Sequence, residues 1–292
     1  MKSKKKELLE CIVFTIPCIL LVALVFYIPF IMSGYYSFTE WNGIAKEATF
    51  IGLENFYTVF FGSSEFLQSF VFTLKYAVLF ILFTNIFAIA IAVTLVQKFK
   101  LANVYRSMFF IPYIMSMIIV GFIWKFIFSQ GFAVLYEKTH LPFLNYSWLG
   151  DSQLAFWAVV FVGIWQSLGF YIVLYIAGLQ AVPTDVLEAA TIDGASSWKR
   201  FFRVTLPLLS PSITICVFMS LTNSLKVFDI ILALTKGGPG GSTYSVTLDI
   251  YREAFQNNNY GLGSAKALVF FVFVMIITQV VLKAMNKREV EL

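Results

Sequence analysis

The sequence predicts an all-α polytopic membrane protein with six transmembrane helices and both termini in the cytoplasm. Three observations lead there. The chain of 292 residues is 59% hydrophobic and 18% aromatic but only 13% charged, with a mean hydropathy of +0.82, which no ordinary soluble domain matches. Its apolar residues fall in runs long enough, at about 1.5 Å per residue, to cross roughly 30 Å of hydrocarbon. Its cations gather on alternate connections between those runs.

In chain order, Lys2, Lys4, Lys5 and Lys6 precede a run over 11–36. That run is too long for a secretory signal and lacks a small-x-small cleavage site, so it is expected to be a retained first span, kinked by Pro17 and Pro29. Further runs cover 70–96, 105–128, 154–179, 208–234 and 267–282, the last only just long enough to span. The outer connections 37–69, 129–153 and 235–266 are too short for an independent domain. A single transmembrane domain over 1–292 is expected.

Orientation follows from the remaining cations. Lys98, Lys100 and Arg106, then Lys199, Arg200 and Arg203, then Lys283, Lys287 and Arg288 fall on the side of the N-terminus. The opposite connections hold only Lys46, Lys138, Lys236 and Arg252, with Lys266 at the edge of the last span. The net charge of +5 thus reflects topology, and without a basic stripe interleaved with exposed aromatics no nucleic-acid partner is expected. Cys11, Cys18 and Cys216 sit in apolar runs, with no paired spacing for a disulfide or metal site, and are expected to be small buried hydrophobes. His140 is the only histidine; it sits in a polar connection, leaving nothing for metal binding or for Ser-His or Cys-His catalysis to build on.

Polar side chains within spans are costly and mark the places to look for a transport path. The fifth span carries Ser220, Thr222, Asn223, Ser224, Lys226 and Asp229. Asn85 lies in the second, Tyr113 follows Pro112 in the third, and Trp165, Gln166 and Ser167 interrupt the fourth. Each alone is more often helix-helix glue. Together they offer hydroxyl, amide and aromatic groups suited to a neutral polyhydroxylated solute. Lys226 and Asp229, at i and i+3, either neutralise each other or contact a ligand. Lys75 and Lys125, nearer the outer edges of their spans, are expected to snorkel to the interface.

The segment 182–209 is the one long non-spanning stretch with helical grammar. Pro183 suits a first turn, Thr184 an N-cap, Asp185 and Glu188 the positive end of a helix dipole, and Gly194 a stop. A second helix starts at Ser196 or Ser197, with Trp198, Phe201, Phe202 and Thr205 on one face and Lys199, Arg200 and Arg203 on the other. On periodicity alone this describes an amphipathic hairpin on the membrane surface.

Glu188-Ala189-Ala190, Asp193-Gly194-Ala195 and Leu206-Pro207 closely resemble the EAA loop (182–207) of ABC importer permeases. The resemblance extends to Phe110-Ile111-Pro112-Tyr113, to Leu206-Pro207-Leu208-Leu209-Ser210-Pro211 and to Leu234-Thr235-Lys236-Gly237-Gly238-Pro239-Gly240, which look like the sugar-type branch, the maltose and glycerol-phosphate transport group. It implies the type I ABC importer permease fold and a loop of short coupling helices seated on an ATPase subunit dimer. It also implies a second, related permease in a heterodimer, an extracellular or periplasmic solute-binding protein, and a prokaryotic cell membrane. The positions matching the family's sugar pocket are Tyr113, Met117, Gln166, Ser167, Ser220, Ser224 and Val227, with Asn223 beside them. No G-x-x-x-x-G-K-[ST] sequence occurs, so this chain is expected not to be an enzyme and to hold no cofactor, ATP and Mg being used by the partner ATPase. The alternatives are an ATP-independent secondary transporter relying on Lys226 and Asp229 as an ion relay, and an ABC permease for an amino acid or phosphate.

Overall fold

A computed structural model describes residues 2–62, 64–97 and 100–287, with side chains from Cys11 onward. Lys98 and Arg288 lie outside the described residues, as do the side chains of Lys2, Lys4, Lys5 and Lys6. Among the described residues, five helices are long and apolar enough to cross a membrane, or six if the bent pair 197–208 and 210–225 is counted as one span. The chain divides into two units, 1–64 with 250–271 and 65–249 with 272–292.

In the first unit, helix α1 (Cys11–Tyr36) passes Pro17 and Pro29, with a π-helical turn at Ala23–Tyr27 ahead of the second proline. None of its most apolar window is buried within the chain. Cys11 and Cys18 are accordingly exposed, contrary to expectation, and only Cys216 is buried. Beyond α1, strands β1 (Thr39–Glu40) and β2 (Thr49–Phe50) pair antiparallel. The Asn55 amide donates to the carbonyls of Ser37 and Thr39 at 3.0 and 2.9 Å. Lys266, expected at a span edge, is 2% exposed and paired with Glu253 at 3.0 Å, which satisfies a charge too costly to bury alone.

The second unit is built on α2 (Ser64–Leu95), α3 (Ala102–Ile114), α4 (Met117–Thr139) and α5 (Ser152–Ala181). Two short helices follow, α6 (Thr184–Ile192) and α7 (Ser197–Leu208), and then α8 (Ser210–Leu225), α9 (Asp229–Leu234) and α10 (Val246–Tyr251). Helix α11 (Tyr260–Asn286) runs well beyond the predicted 267–282. The centre is α5, with 61% of its apolar window buried against 33% for α2. The Asp151 carboxylate starts it by accepting from the backbone N–H of Gln153 and Leu154, both at 2.9 Å, a charged N-cap at the positive end of the dipole. Helices α3, α4, α8 and α9 all pack against it.

Spans three and five, predicted as continuous runs, are both broken. The third stops at Ile114, passes Met115 and Ser116 in extended conformation and resumes at Met117. The fifth enters through a 68° bend between α7 and α8, stops at Leu225 and resumes at Asp229. Hydropathy cannot see these breaks because the residues at them are themselves largely apolar.

Lipid gives helices no hydrophobic reason to associate, so close backbone approach and interhelical hydrogen bonds carry the packing. At Gly169 the α3 backbone comes so near that a Cβ would fall on the carbonyl of Phe109. Between α2, α5 and α8, the Asn85 amide donates to Ser220 Oγ at 3.1 Å, while Tyr175 Oη donates to Asn85 Oδ1 at 2.5 Å. Gly169→Val is therefore expected to cost about 1–3 kcal/mol through overpacking, and Asn85→Leu about 1–3 kcal/mol by removing the acceptor of the buried Tyr175 hydroxyl and the donor to Ser220 Oγ. Both are read as a lowered thermal midpoint in detergent, and an unchanged midpoint in either would remove that contact from the packing scheme.

Candidate functional site

The two helix breaks face one cavity of about 230 Å³. Irregular backbone at membrane depth survives only where its polar groups are satisfied by protein or line a cavity, and both conditions are met. Gln166 Nε2 donates to the carbonyls of Tyr113 and Met115, at 3.3 and 3.4 Å, across the first break. At the second, the carbonyl of Val227 accepts from Ser245 Oγ at 2.7 Å and Thr247 Oγ1 at 2.6 Å.

Seven of the eight residues singled out in the sequence line this cavity: Tyr113, Met117, Gln166, Ser167, Asn223, Ser224 and Val227. Ser220 does not; it is fully buried against Asn85, with its hydroxyl donating to the Val217 carbonyl. Ser224 lies one turn further on, where α8 meets the cavity. Asn223 is exposed, and its amide donates to Tyr171 Oη at 3.4 Å. Ser167 Oγ donates to Gln166 Oε1 at 3.2 Å, and the Tyr113 ring stacks on Phe170 with centroids 4.8 Å apart. Tyr76 and Phe80 of α2 also line the cavity. No sequence signal distinguished them from the other aromatics of that apolar run.

Lys226 and Asp229 both reach the cavity, are exposed, and make no ion pair with each other. An i, i+3 pairing needs a continuous helix, and the helix is broken between them. Lys226 is instead the C-cap of α8 and Asp229 the first residue of α9, so each charge sits at the helix end whose dipole favours it. Among the described residues no three His, Cys, Asp or Glu side chains come together to hold a metal.

The second candidate region is the loop. Thr184 is the first residue of α6 rather than its cap; Pro183 holds the N-cap position in extended conformation, and no side chain caps the helix. At the other end Gly194 takes φ +76°. The N–H of Ala195 bonds to the Ala190 carbonyl at 3.0 Å and that of Gly194 to the Thr191 carbonyl at 3.1 Å, closing a Schellman motif. Ser196 caps α7 by accepting from the Lys199 N–H at 3.4 Å, and Arg200 Nη1 ties α7 back to Thr191 Oγ1 at 2.8 Å. Glu188, Ala189, Asp193, Gly194 and Pro207 are exposed, while Ala190, Ala195 and Leu206 are half-buried. Of the predicted aromatic stripe, Phe201 and Thr205 are half-buried, whereas Trp198 and Phe202 are 74% and 51% exposed and stack on each other. With Ile192 at 86%, the loop presents several exposed large apolar side chains, of the kind that mark interaction sites where they form a patch.

Comparison with known proteins agrees with these features. Residues 84–290 match the family described as binding-protein-dependent transport system inner membrane component. The chain is 40% identical over 279 residues to a probable starch degradation products transport system permease protein, AmyD, of Thermoanaerobacterium thermosulfurigenes, covering 96% of this chain and 94% of that one. It is 36% identical to the multiple sugar-binding transport system permease protein MsmF of Streptococcus mutans serotype c, covering 95% of each. Among solved structures, a bacterial ABC transporter involved in the import of the acidic polysaccharide alginate superposes with a TM-score of 0.83 over 98% of both chains at 21% identity, a likeness of fold. The chain therefore belongs to the binding-protein-dependent inner membrane components and is a multi-pass ABC importer permease of type I fold, not itself an enzyme.

Proposed function

We propose that this permease carries a neutral sugar or oligosaccharide inward across a prokaryotic cell membrane through the cavity at the two helix breaks. The observation that carries this reading is the lining: hydroxyl, amide and aromatic groups converge there, with one cation and one anion that balance each other. The printed names of the relatives, for starch degradation products and for multiple sugars, point the same way. A phosphate would call for an unbalanced cationic site, and against an amino acid stand the sugar names of the relatives. Family membership sets aside the ATP-independent carrier.

The cavity of about 230 Å³ falls below the roughly 300–1,000 Å³ of typical ligand pockets, as half of a site shared with a second, related permease would. Both termini and the 182–207 loop face the cytoplasm in this reading, the single transmembrane domain docking there on an ATPase dimer that binds and hydrolyses ATP with Mg. A solute-binding protein delivers substrate from outside; the alginate transporter has been solved with its periplasmic protein bound. In the cycle, closure of the ATPase pair moves α6 and α7 and switches the cavity between inward- and outward-open states.

Two experiments test this. Affinity purification of the solubilised complex should recover an ATPase and a second permease with wild type, and lose the ATPase alone with Glu188→Lys; an ATPase retained by the variant would remove Glu188 from the docking surface. Uptake of a labelled neutral oligosaccharide by reconstituted complex should fall about 5- to 10-fold in Ser167→Ala and in Asn223→Ala, corresponding to one lost hydrogen bond of about 1–1.5 kcal/mol. Full uptake rates in both variants would place the sugar elsewhere.

A further inference from the structure

The wall of the cavity at the helix breaks holds three polar side chains that are more than nine-tenths buried: Tyr76, Gln166 and Ser224. Two of them are committed within the protein. Gln166 gives its amide N–H groups to two carbonyls and takes the Ser167 hydroxyl on Oε1, and Ser224 Oγ donates to the Leu221 carbonyl at 3.0 Å. Tyr76 differs. It is 2% exposed and its hydroxyl makes no hydrogen bond among the described residues, yet Oη is not sealed from solvent. A buried phenol ordinarily finds a partner, so an open, unpartnered one on a cavity wall points to a partner that comes and goes. Its surroundings hold it there. The ring sits in a stacked ladder along α2 between Phe72 and Phe80, with centroids 6.3 and 5.6 Å away. Its tip rests on α5 at Gly163, where a Cβ would fall on Oη. Glycine inside a helix costs about 0.5–1 kcal/mol against alanine, and the room it leaves here is taken by this hydroxyl.

We propose that Tyr76 is a specificity-determining residue of the transport path: its hydroxyl exchanges hydrogen bonds with one hydroxyl of the carried sugar, and Gly163 provides the clearance that leaves Oη at the cavity wall. A phenol both donates and accepts, as a sugar hydroxyl does. Groups that already hold an internal bond offer a solute only what remains, whereas Tyr76 offers its full capacity from a ring fixed in advance, so little freedom is lost on contact. A site built to bond a hydroxyl rejects the analogue that lacks it. The assignment rests on the reading of this cavity as a sugar path.

The test measures uptake by the reconstituted complex, wild type beside Tyr76→Phe. The probes are whichever of labelled maltotriose, raffinose, cellotriose and xylotriose wild type takes up fastest, and the monodeoxy analogues of that sugar. Phenylalanine keeps the ring ladder and strands no partner, so the thermal midpoint should not move. For at least one analogue the ratio of parent to analogue uptake should be about 5- to 10-fold lower in Tyr76→Phe than in wild type, the worth of one hydrogen bond. A solute-binding protein common to both cancels from that comparison, and a merely structural role would slow every sugar alike and leave the ratio unchanged. Gly163→Ala, which keeps Tyr76 but displaces its hydroxyl, should lower the same ratio. Equal ratios in wild type and Tyr76→Phe for every analogue overturn the assignment and leave the sugar path standing. No uptake of any of the four sugars by wild type overturns the sugar path itself, and the assignment with it.

Discussion

The second unit depends on one constraint: backbone polar groups freed inside a membrane must find partners within the protein. Two broken spans expose such groups at the same cavity, and single side chains from neighbouring helices answer them. Gln166 is only 5% exposed and commits its amide to two carbonyls of the third span. It therefore sets where that span stops, leaving Oε1 and the Ser167 hydroxyl beside it as the groups facing a solute. Ser245 and Thr247 do the same for Val227 by converging on a single carbonyl. The cavity is thus a consequence of where helices are permitted to end, and its shape is held by bonds that no substrate has to supply.

Around that cavity the packing is organised by α5, the most buried of the spans, which is apolar on nearly all sides because one face meets neighbouring helices and the other, with Trp157, Phe161 and Val173 exposed, meets lipid. Burial at this level removes the amphipathic signal on which helix orientation is usually judged. What replaces it is steric: the small residue at Gly169 admits the α3 backbone, and the hydrogen-bonded trio of Asn85, Tyr175 and Ser220 joins three helices that lipid would not drive together. Ser220 looks like a path residue in the sequence because a hydroxyl in a span is costly, yet the same cost is met as well by a neighbouring amide as by a solute.

Much of this architecture was legible in the sequence. Apolar runs place the first, second and fourth spans to within a few residues, apart from the extra turn and a half at the start of α2. The loop grammar places Gly194 at the stop of α6 and Ser196 at the start of α7, because those signals are local and act through one or two bonds. The breaks were not legible, since they depend on Gln166, Ser245 and Thr247 reaching across from elsewhere in the chain. Misreading them carried one half of the Lys226 and Asp229 reading with it: mutual neutralisation at i and i+3 presupposed an unbroken helix, whereas the alternative of ligand contact is left standing by two side chains that reach the cavity. Burial of Cys11 and Cys18 failed for a different reason. An apolar run says that a segment avoids water, and in a membrane that is satisfied on the outside of the chain as well as within it.

The connection between loop and cavity is mechanical as well as sequential. Helices α6 and α7 are tied to each other by the Arg200 to Thr191 bond and by the tight turn at Gly194. Helix α7 turns into α8 through the 68° bend, with Pro207 and Pro211 fixing backbone on either side, and Leu209 at the corner is 1% exposed in the core. A buried corner residue makes the bend a rigid elbow instead of a free hinge, because swinging it open would expose Leu209 and empty its place in the packing. From that elbow α8 runs sixteen residues to the break at Lys226, about 24 Å at helical rise. In the proposed cycle, force applied to the exposed face of the loop would be delivered along this stiff element to the point where the backbone is already discontinuous. At that break Val227 is held by Ser245 and Thr247, while α8 itself is bonded to Asn85 through Ser220 and to Tyr171 through Asn223, so the proposed movement of the loop would have to exchange bonds at the cavity wall.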